Sequence, residues 1–352
     1  METPAKPGVT VRDRLEAIED AVLAPYASRS ALSVGRETYE PESPVRTAYQ
    51  RDRDRIVHAN AFRRLRGKTQ VFIAPVGDHY ATRLSHALEV AQVGRVIARA
   101  LQLNEDLVEA IALAHDLGHA PFGHAGQEAL DHSLNGGYRH DEQSLRVVRF
   151  LEKGGRGLNL TREVIDGIRT HRKPRHNLMG TTAGTSTTLE AEVVKIADAV
   201  AYINHDADDA VRAHIIEPND LPATGIEILG NSRSERIDTV VQDIVVTSSG
   251  RAAVEMSEPI LGALNELRDF LFANVYTNAT VKREAERSRA VVTQLVAYFR
   301  AHPDVMPADY RSDPRDEGVD RRVADYIAGM TDAYAIDLFE TLFVPKRWRA
   351  DL

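Results

Sequence analysis

The chain of 352 residues contains no cysteine and a single tryptophan, and aromatic residues make up only 6% of it. Without cysteine there is no disulfide framework and no thiolate metal site. Any metal must then be held by His, Asp and Glu, a donor set suited to Mg, Mn, Fe, Co or Zn rather than to soft ions. Uninterrupted apolar runs of about 18 residues are also missing, so no membrane-spanning helix is expected. The opening stretch METPAKPGVTVRDRLEAIED lacks the positive-then-apolar order of a secretory leader, and the expected location is the cytoplasm. Positive charge is in deficit, with 44 Lys and Arg against 52 Asp and Glu and a net charge of −8. That balance argues against a generally basic nucleic-acid protein. It confines any phosphate or nucleic-acid site to a local basic patch.

Hydrophobic residues are 43% of the chain and charged residues 27%, enough for one large domain or two closely packed ones. Apolar spacing is mostly helical. RLSHALEVAQVGRVIARAL (83–101) sets Leu84, Leu88, Ala91 and Ile97 on one stripe, with Arg95 and Arg99 off it. NEDLVEAIALAHDLG opens on the N-cap residue Asn104 and runs to Gly118 as its stop. A third long pattern spans 188–216, and RDFLFANVY, SRAVVTQLVAYFRAH and ETLF continue the theme. DTVVQDIVVT (238–247) reads equally as a strand or a buried helix. Loops are expected at 152–160, 177–188 and 302–318, and loose order at 1–10 and 27–45. The fold class is all-α. The division along the chain is an N-terminal arm (1–45), a core carrying the chemistry (46–216) and a C-terminal helical section packed on it (217–352).

Histidines are concentrated where the second helical pattern breaks. Seven of the 13 fall between residues 79 and 140, and AIALAHDLGHAPFGHAGQEAL (110–130) holds His115, Asp116, His119 and His124. His-Asp occurs three times, at His115-Asp116, His140-Asp141 and His205-Asp206, so the dipeptide alone selects nothing. Context favours the first. His86 lies on the preceding helix, and Asp198 sits among Ile196, Ala197, Ala199 and Val200, where a bare carboxylate is costly without a cation or donor. His115 and Asp116 diverge by about 100° on a helix yet can meet on an ion seated between them. With His86 and Asp198 they make two imidazoles and two carboxylates, a hydrolytic site for a hard or borderline divalent ion. The alternative is a buried His/Asp hydrogen-bond network.

The order His86, His115-Asp116, Asp198 resembles the HD superfamily of metal-dependent phosphohydrolases. The blocks QRDRDRIVHANAFRRLRGKTQVF, GDHYATRLSHALEV, HDLGHAPFGHAGQEAL, YRHDEQSLRVV, KIADAVAYINHDADDA and DYIAGMTDAYAIDLFETLF resemble its deoxynucleoside triphosphate triphosphohydrolase (dGTPase-like) branch across roughly residues 48 to 345. The resemblance implies an HD-domain helical fold with an additional C-terminal section. It also implies hydrolysis of a dNTP substrate to deoxynucleoside and intact triphosphate, with a divalent ion (Mg, Mn, Fe or Co) on His86, His115, Asp116 and Asp198. It assigns His124 and His140 to catalysis, and His119 and Arg83 to the phosphates. Tyr202 falls against the deoxyribose and Asp206 at its 3′-hydroxyl, four and eight residues beyond Asp198 on one helical stripe. A solvated Asp206 is the plain alternative in the acidic run with Asp208 and Asp209. In the basic segment 51–68, with seven Arg or Lys against two Asp, the nucleotide candidates are Arg63, Arg64 and Lys68, followed by Gln70; a second basic loop, THRKPRHN, offers His171 and Lys173.

One position departs from the family pattern. Gln127 stands where a carboxylate usually follows the catalytic histidine by three residues, so it can orient the ring but cannot supply charge. Weakened activity, or a mechanism leaning on His140, is the expectation; Glu128 points elsewhere on an ideal helix. Two alternatives stay open. One is an HD phosphohydrolase for a monophosphate or cyclic nucleotide. The other is a nucleotide-sensing or single-stranded nucleic-acid-binding homologue with a weakened site. The family further implies a homo-oligomer (tetramer or hexamer) and, for some members, a second dNTP as activator near residues 51–68. No membrane association is expected.

Overall fold

The computed structural model describes residues 9–73, 80–172, 178, 185–312, 315 and 317–346. Among these no strand forms, and the only β pairing is two isolated bridges, Arg36 with Thr161 and Thr69 with Thr82. The principal helices in chain order are α1 (Val11–Val22), α2 (Ala48–Val57), α3 (Arg83–Ala100), α4 (Glu105–Ala114), α5 (Gly123–Ser133), α6 (His140–Arg146) and α7 (Arg162–Thr170). After them come α8 (Leu189–Arg212), α9 (Arg233–Ser248), α10 (Glu258–Asn274), α11 (Ala279–Ala301), α12 (Val319–Ala328) and α13 (Asp332–Phe343). Short polar side chains start many of them. Thr82, Asn104, Thr188, Ser232 and Thr331 each accept a backbone N–H of the first turn, which answers donors that a helix start leaves unpaired.

Helix α3 packs on α4 and α8, and α2 and α7 close over α4. The apolar side chains gather into two clusters, and neither is one stretch of chain. The larger takes residues from α2, α3, α4, α7, α8, α9 and α10. The smaller joins Phe122 and α5 to α11, α12 and α13 through Leu130, Leu295, Phe299, Val323 and Ile327. The turn carrying His119 therefore passes from one cluster to the other, and His124 follows it in the first turn of α5.

Several expectations need correcting. The buried stripe of α3 runs through Arg83, His86, Ala87, Val90, Gly94 and Ile97, while Leu88 is exposed. Burying two charged or polar side chains on that face is what swings the stripe away from Leu88. Helix α4 ends at Ala114, with His115 as its C-cap, and residues 115–118 are turn. Residues 238–247 are helical within α9, since a full-length capping box at Ser232 and packing on α8 outweigh β-branched content. The segment 27–45 is tied down throughout. Ser28 bonds Glu190 through N and Oγ at 2.9 and 3.0 Å, and Ser30 donates to Glu19 twice at 2.7 Å. Further along, Val34 N donates to Glu163 at 2.6 Å, Arg36 pairs with Asp52, and Thr38 N donates to Asn159 at 3.0 Å. Composition hides these bonds because their acceptors lie more than a hundred residues away in most cases.

Candidate active site

The end of α4 aims at the site. His115 and Asp116 leave its C-terminus, where unpaired carbonyls carry partial negative charge that favours a cation. His115 Nδ1 donates to Ala112 O at 2.7 Å, which leaves the lone pair on Nε2. That Nε2 is buried and has no hydrogen-bond partner. Ligand-type atoms of His86, His115 and Asp116 lie within 4.8 Å of one another. Asp198 Oδ1 stands 3.2 Å from His86 Nε2, on the same side. A buried imidazole nitrogen left unpaired 3.5 Å from the Asp116 carboxylate is costly for a hydrogen-bond network and fitting for a divalent ion. The donor set, nitrogen and oxygen without thiolate, suits the same ions.

Around Asp116 the groups are crowded. Arg83 Nη1 donates to its Oδ2 at 2.6 Å, and His119 Nε2 lies 3.1 Å from its Oδ1. Burial pushes the Asp116 carboxyl up, but His119, His115 and Arg83 outweigh it and hold the group well below the ordinary value. Burial lowers His119, helped by Arg83, and lowers His140, helped by His119 and His171; both sit well below the usual imidazole range. Burial and then His115 bring His171 down to about 4. His119 and His140 stack with ring centroids 4.0 Å apart, His171 stands 5.5 Å from His140, and His124 is exposed at 6.0 Å from His119.

Tight contacts set the turn between α4 and α6. Gly118 N donates to Ser144 Oγ at 2.9 Å, and Ser144 Oγ donates back to His115 O at 2.7 Å. A Cβ on Gly118 would run into the backbone of His140, Gln143 and Ser144. Phe122 takes a left-handed conformation with φ 62° before α5, and its N–H donates to Asp332 at 2.8 Å. Asp332 also accepts from Thr69 N and Oγ1 at 3.0 and 2.6 Å.

Gln127 orients a different ring from the one expected. Its Oε1 accepts from His140 N at 3.0 Å and faces His140 Nδ1 at 2.8 Å. His124, three residues earlier on the same helix, stands by His119, while Gln127 meets the start of α6. Glu128 turns outward to Arg289, 2.8 Å away. On α8, Asp206 is buried and accepts from Tyr276 Oη at 2.5 Å. The solvated alternative for Asp206 is thereby removed. His205 Nδ1 is 2.8 Å from Asp206 Oδ1, and its Nε2 is 3.0 Å from His86 Nδ1. Tyr202 is half-buried on the same helix. Gln70 holds a buried Oε1 with no partner and lies close to Gly123.

The basic segment behaves otherwise. Arg53 pairs with Asp106 and Glu109 at 2.8 and 3.2 Å, and Arg51 and Arg55 both pair with Glu40. Lys68 is fully buried and donates to His119 O and Ala328 O, so it is spent on backbone and does not face a nucleotide. Arg64 lies near Lys68 and Tyr310 and is half-buried, with an Nε that has no hydrogen-bond partner. Arg63 and Arg66 are exposed. Lys173 lies outside the described residues. Sequence reading missed His205, Tyr276, Ser144 and Asp332. The third His-Asp dipeptide, at 205, was visible, but a tyrosine or an aspartate from the distant C-terminal section carries no local mark.

Residues 83–203 match the HD domain model, and residues 254–341 match the model described as phosphohydrolase-associated domain. With this fold and this cluster, the chain is a phosphohydrolase of the HD type. A deoxyguanosinetriphosphate triphosphohydrolase-like protein of Caldanaerobacter subterraneus subsp. tengcongensis is 52% identical over 96% of this chain and 97% of its own length. One from Clostridium perfringens is 46% identical over 96% and 98%. The chain belongs to this deoxyguanosinetriphosphate triphosphohydrolase-like family. Among solved structures, a hypothetical protein from Aquifex aeolicus is similar at 18% identity and a TM-score of 0.49, over 84% of this chain and 68% of that one. Among the described residues no helix is long and apolar enough to cross a membrane.

Proposed function

We propose that the chain hydrolyses deoxynucleoside triphosphates to deoxynucleoside and triphosphate, with one divalent ion on His86, His115, Asp116 and Asp198. The observation that carries this is the convergence of His86, His115 and Asp116 around an unpaired, buried imidazole nitrogen. When bound, the ion supplies positive charge that polarises the α-phosphate. The protein's own groups do the rest. Water adds to the α-phosphorus and the bond to the 5′-oxygen breaks. That oxygen is a poor leaving group, so a proton donor is worth a large factor, and we assign that role to His124, exposed in the first turn of α5. Arg83 and His119 face the phosphates beside Asp116, and His140 and His171 flank the same point. Tyr202 packs on the sugar, Asp206 and Tyr276 define its 3′ side, and the unpaired Gln70 Oε1 accepts a sugar hydroxyl.

A dNTP panel offered singly and mixed, with Mg or Mn, tests the reading by chromatography. Deoxynucleoside with intact triphosphate is expected. Inorganic phosphate or pyrophosphate as the first product would point to another nucleotide hydrolase, and binding without turnover to a sensor. Turnover that appears only in the mixture marks the second dNTP as activator. Since Arg51, Arg53 and Arg55 are ion-paired within the fold, exposed Arg63 and Arg66 and half-buried Arg64, whose Nε has no hydrogen-bond partner, are the arginines in that segment left for such a ligand.

A further inference from the structure

One carboxylate of the C-terminal section joins two edges of the substrate site. Asp332, the first residue of α13, is buried, and its two oxygens serve different stretches of chain. Oδ2 accepts from Thr69 N at 3.0 Å and from Thr69 Oγ1 at 2.6 Å, while Oδ1 accepts from Phe122 N at 2.8 Å. These donors lie 263 and 210 residues away along the chain.

Each stretch carries a group assigned above to the substrate. Gln70 follows Thr69, and its buried Oε1 has no partner. His124 follows Phe122 by two residues. Between them the backbone is left-handed twice, with φ 62° at Phe122 and 56° at Gly123, so the chain reverses as it enters α5. A phenylalanine in that conformation is disfavoured and persists only where its surroundings hold it. Its N–H is held by Asp332. The two stretches also meet directly, since a Cβ on Gly123 would stand 3.2 Å from Gln70 O and 3.2 Å from Arg83 Nη2.

A buried carboxylate is a costly way to fill space, and apolar packing alone would close this boundary. What the carboxylate adds is a fixed spacing, because both edges hang on one rigid group. We propose that Asp332 is a positioning residue for the reaction: it sets the distance between Gln70 at the sugar and His124 at the 5′-oxygen. The inference rests on the reading of His124 as the group that gives that oxygen its proton when the bond to the α-phosphorus breaks. A displacement of about 1 Å at such a donor costs about 100-fold in rate. The phosphates keep Arg83 and His119, so binding is spared.

The test uses the full chain with Mn(II) and two substrates. One is a dNTP. The other is its 5′-thio analogue, whose bridging sulfur leaves as a thiolate without needing a proton. Asp332→Asn keeps one acceptor and loses the other. Its kcat on the dNTP should fall about 100-fold with KM little changed, while kcat on the 5′-thio analogue stays at the wild-type value. An equal fall on both substrates makes Asp332 a merely structural residue and overturns the proposal, as does an unchanged kcat on the dNTP or a rise in KM alone. Failure of the wild-type protein to release triphosphate from any dNTP overturns the underlying reading as well. Thr69→Val removes only the Oγ1 bond and should show the same substrate selectivity with a smaller loss. That variant decides the matter if Asp332→Asn does not fold.

Discussion

At the scale of single residues the site depends on close approach and on bonds held from behind. Gly118 is the clearest case, since its missing Cβ lets the turn after α4 lie against the backbone of α6. Gly118→Ala should push α6 and His140 outward and destabilise the fold by about 1–3 kcal/mol, as overpacking does. Urea denaturation reads the loss, and it should come with a larger fall in turnover than stability alone explains. His205 is the second case. It stands between Asp206 and His86, 2.8 Å from one and 3.0 Å from the other, and holds the His86 ring with its Nε2 3.2 Å from Asp198. Replacing such a partner typically costs about 10–100-fold in metal affinity. His205→Phe should therefore weaken Mn(II) binding by that factor in calorimetry while leaving the circular dichroism spectrum unchanged.

At the scale of elements, the segment 27–45 shows how a stretch without helix becomes part of the fold. Glu40 accepts from Arg55 and from Asn159 and so closes the segment onto α2. Partial burial pushes its carboxyl up, but Arg55, Asn159 and Arg51 outweigh this and bring it from 4.5 down to about 2. A carboxyl depressed in the folded state contributes stability above its unfolded value and loses it as pH falls. The contribution should be complete above pH 4.5 and vanish toward about pH 2. Limited proteolysis with an acid protease checks this: cleavage within 37–46 should rise across that window, and Glu40→Gln should be cleaved readily even at its upper end. Helix α5 illustrates the same principle. One of its faces meets α11, and its first turn presents His124 and Gln127 to the site.

Across the whole molecule, the C-terminal section is a support for the site. Asp332 and Lys68 reach across the boundary between the two apolar clusters and hold the turn 118–122 from both sides. Burial, then the nearby Arg64, brings the Lys68 ammonium from 10.5 down to about 7. The unfolded chain therefore binds more protons than the folded one between those values, and Lys68 makes stability rise with pH across that window. Lys68→Met leaves two buried carbonyls without a donor, at a cost of about 1–3 kcal/mol. Thermal melts at both ends of the window should show the wild-type protein gaining on Lys68→Met as pH rises from about 7 to 10.5.

Much of this protein was legible in its residues. Helical periodicity, the broken pattern at Gly118 and the spacing of His86, His115, Asp116 and Asp198 are local regularities, and local regularities follow from which side chains share a helix face. The absence of cysteine likewise settled the chemical kind of any metal donor. Only tertiary structure decided that Gln127 serves His140, that Lys68 and Arg51 are consumed within the fold, that residues 27–45 are anchored, and that Tyr276 and Asp332 return to the site. The reason is that the partners sit on separate elements. A hydrogen bond between separate elements, whether 13 residues apart as for Gln127 and His140 or 210 as for Phe122 and Asp332, depends on how helices stack, and stacking is set by the sum of many apolar contacts rather than by any motif near either partner.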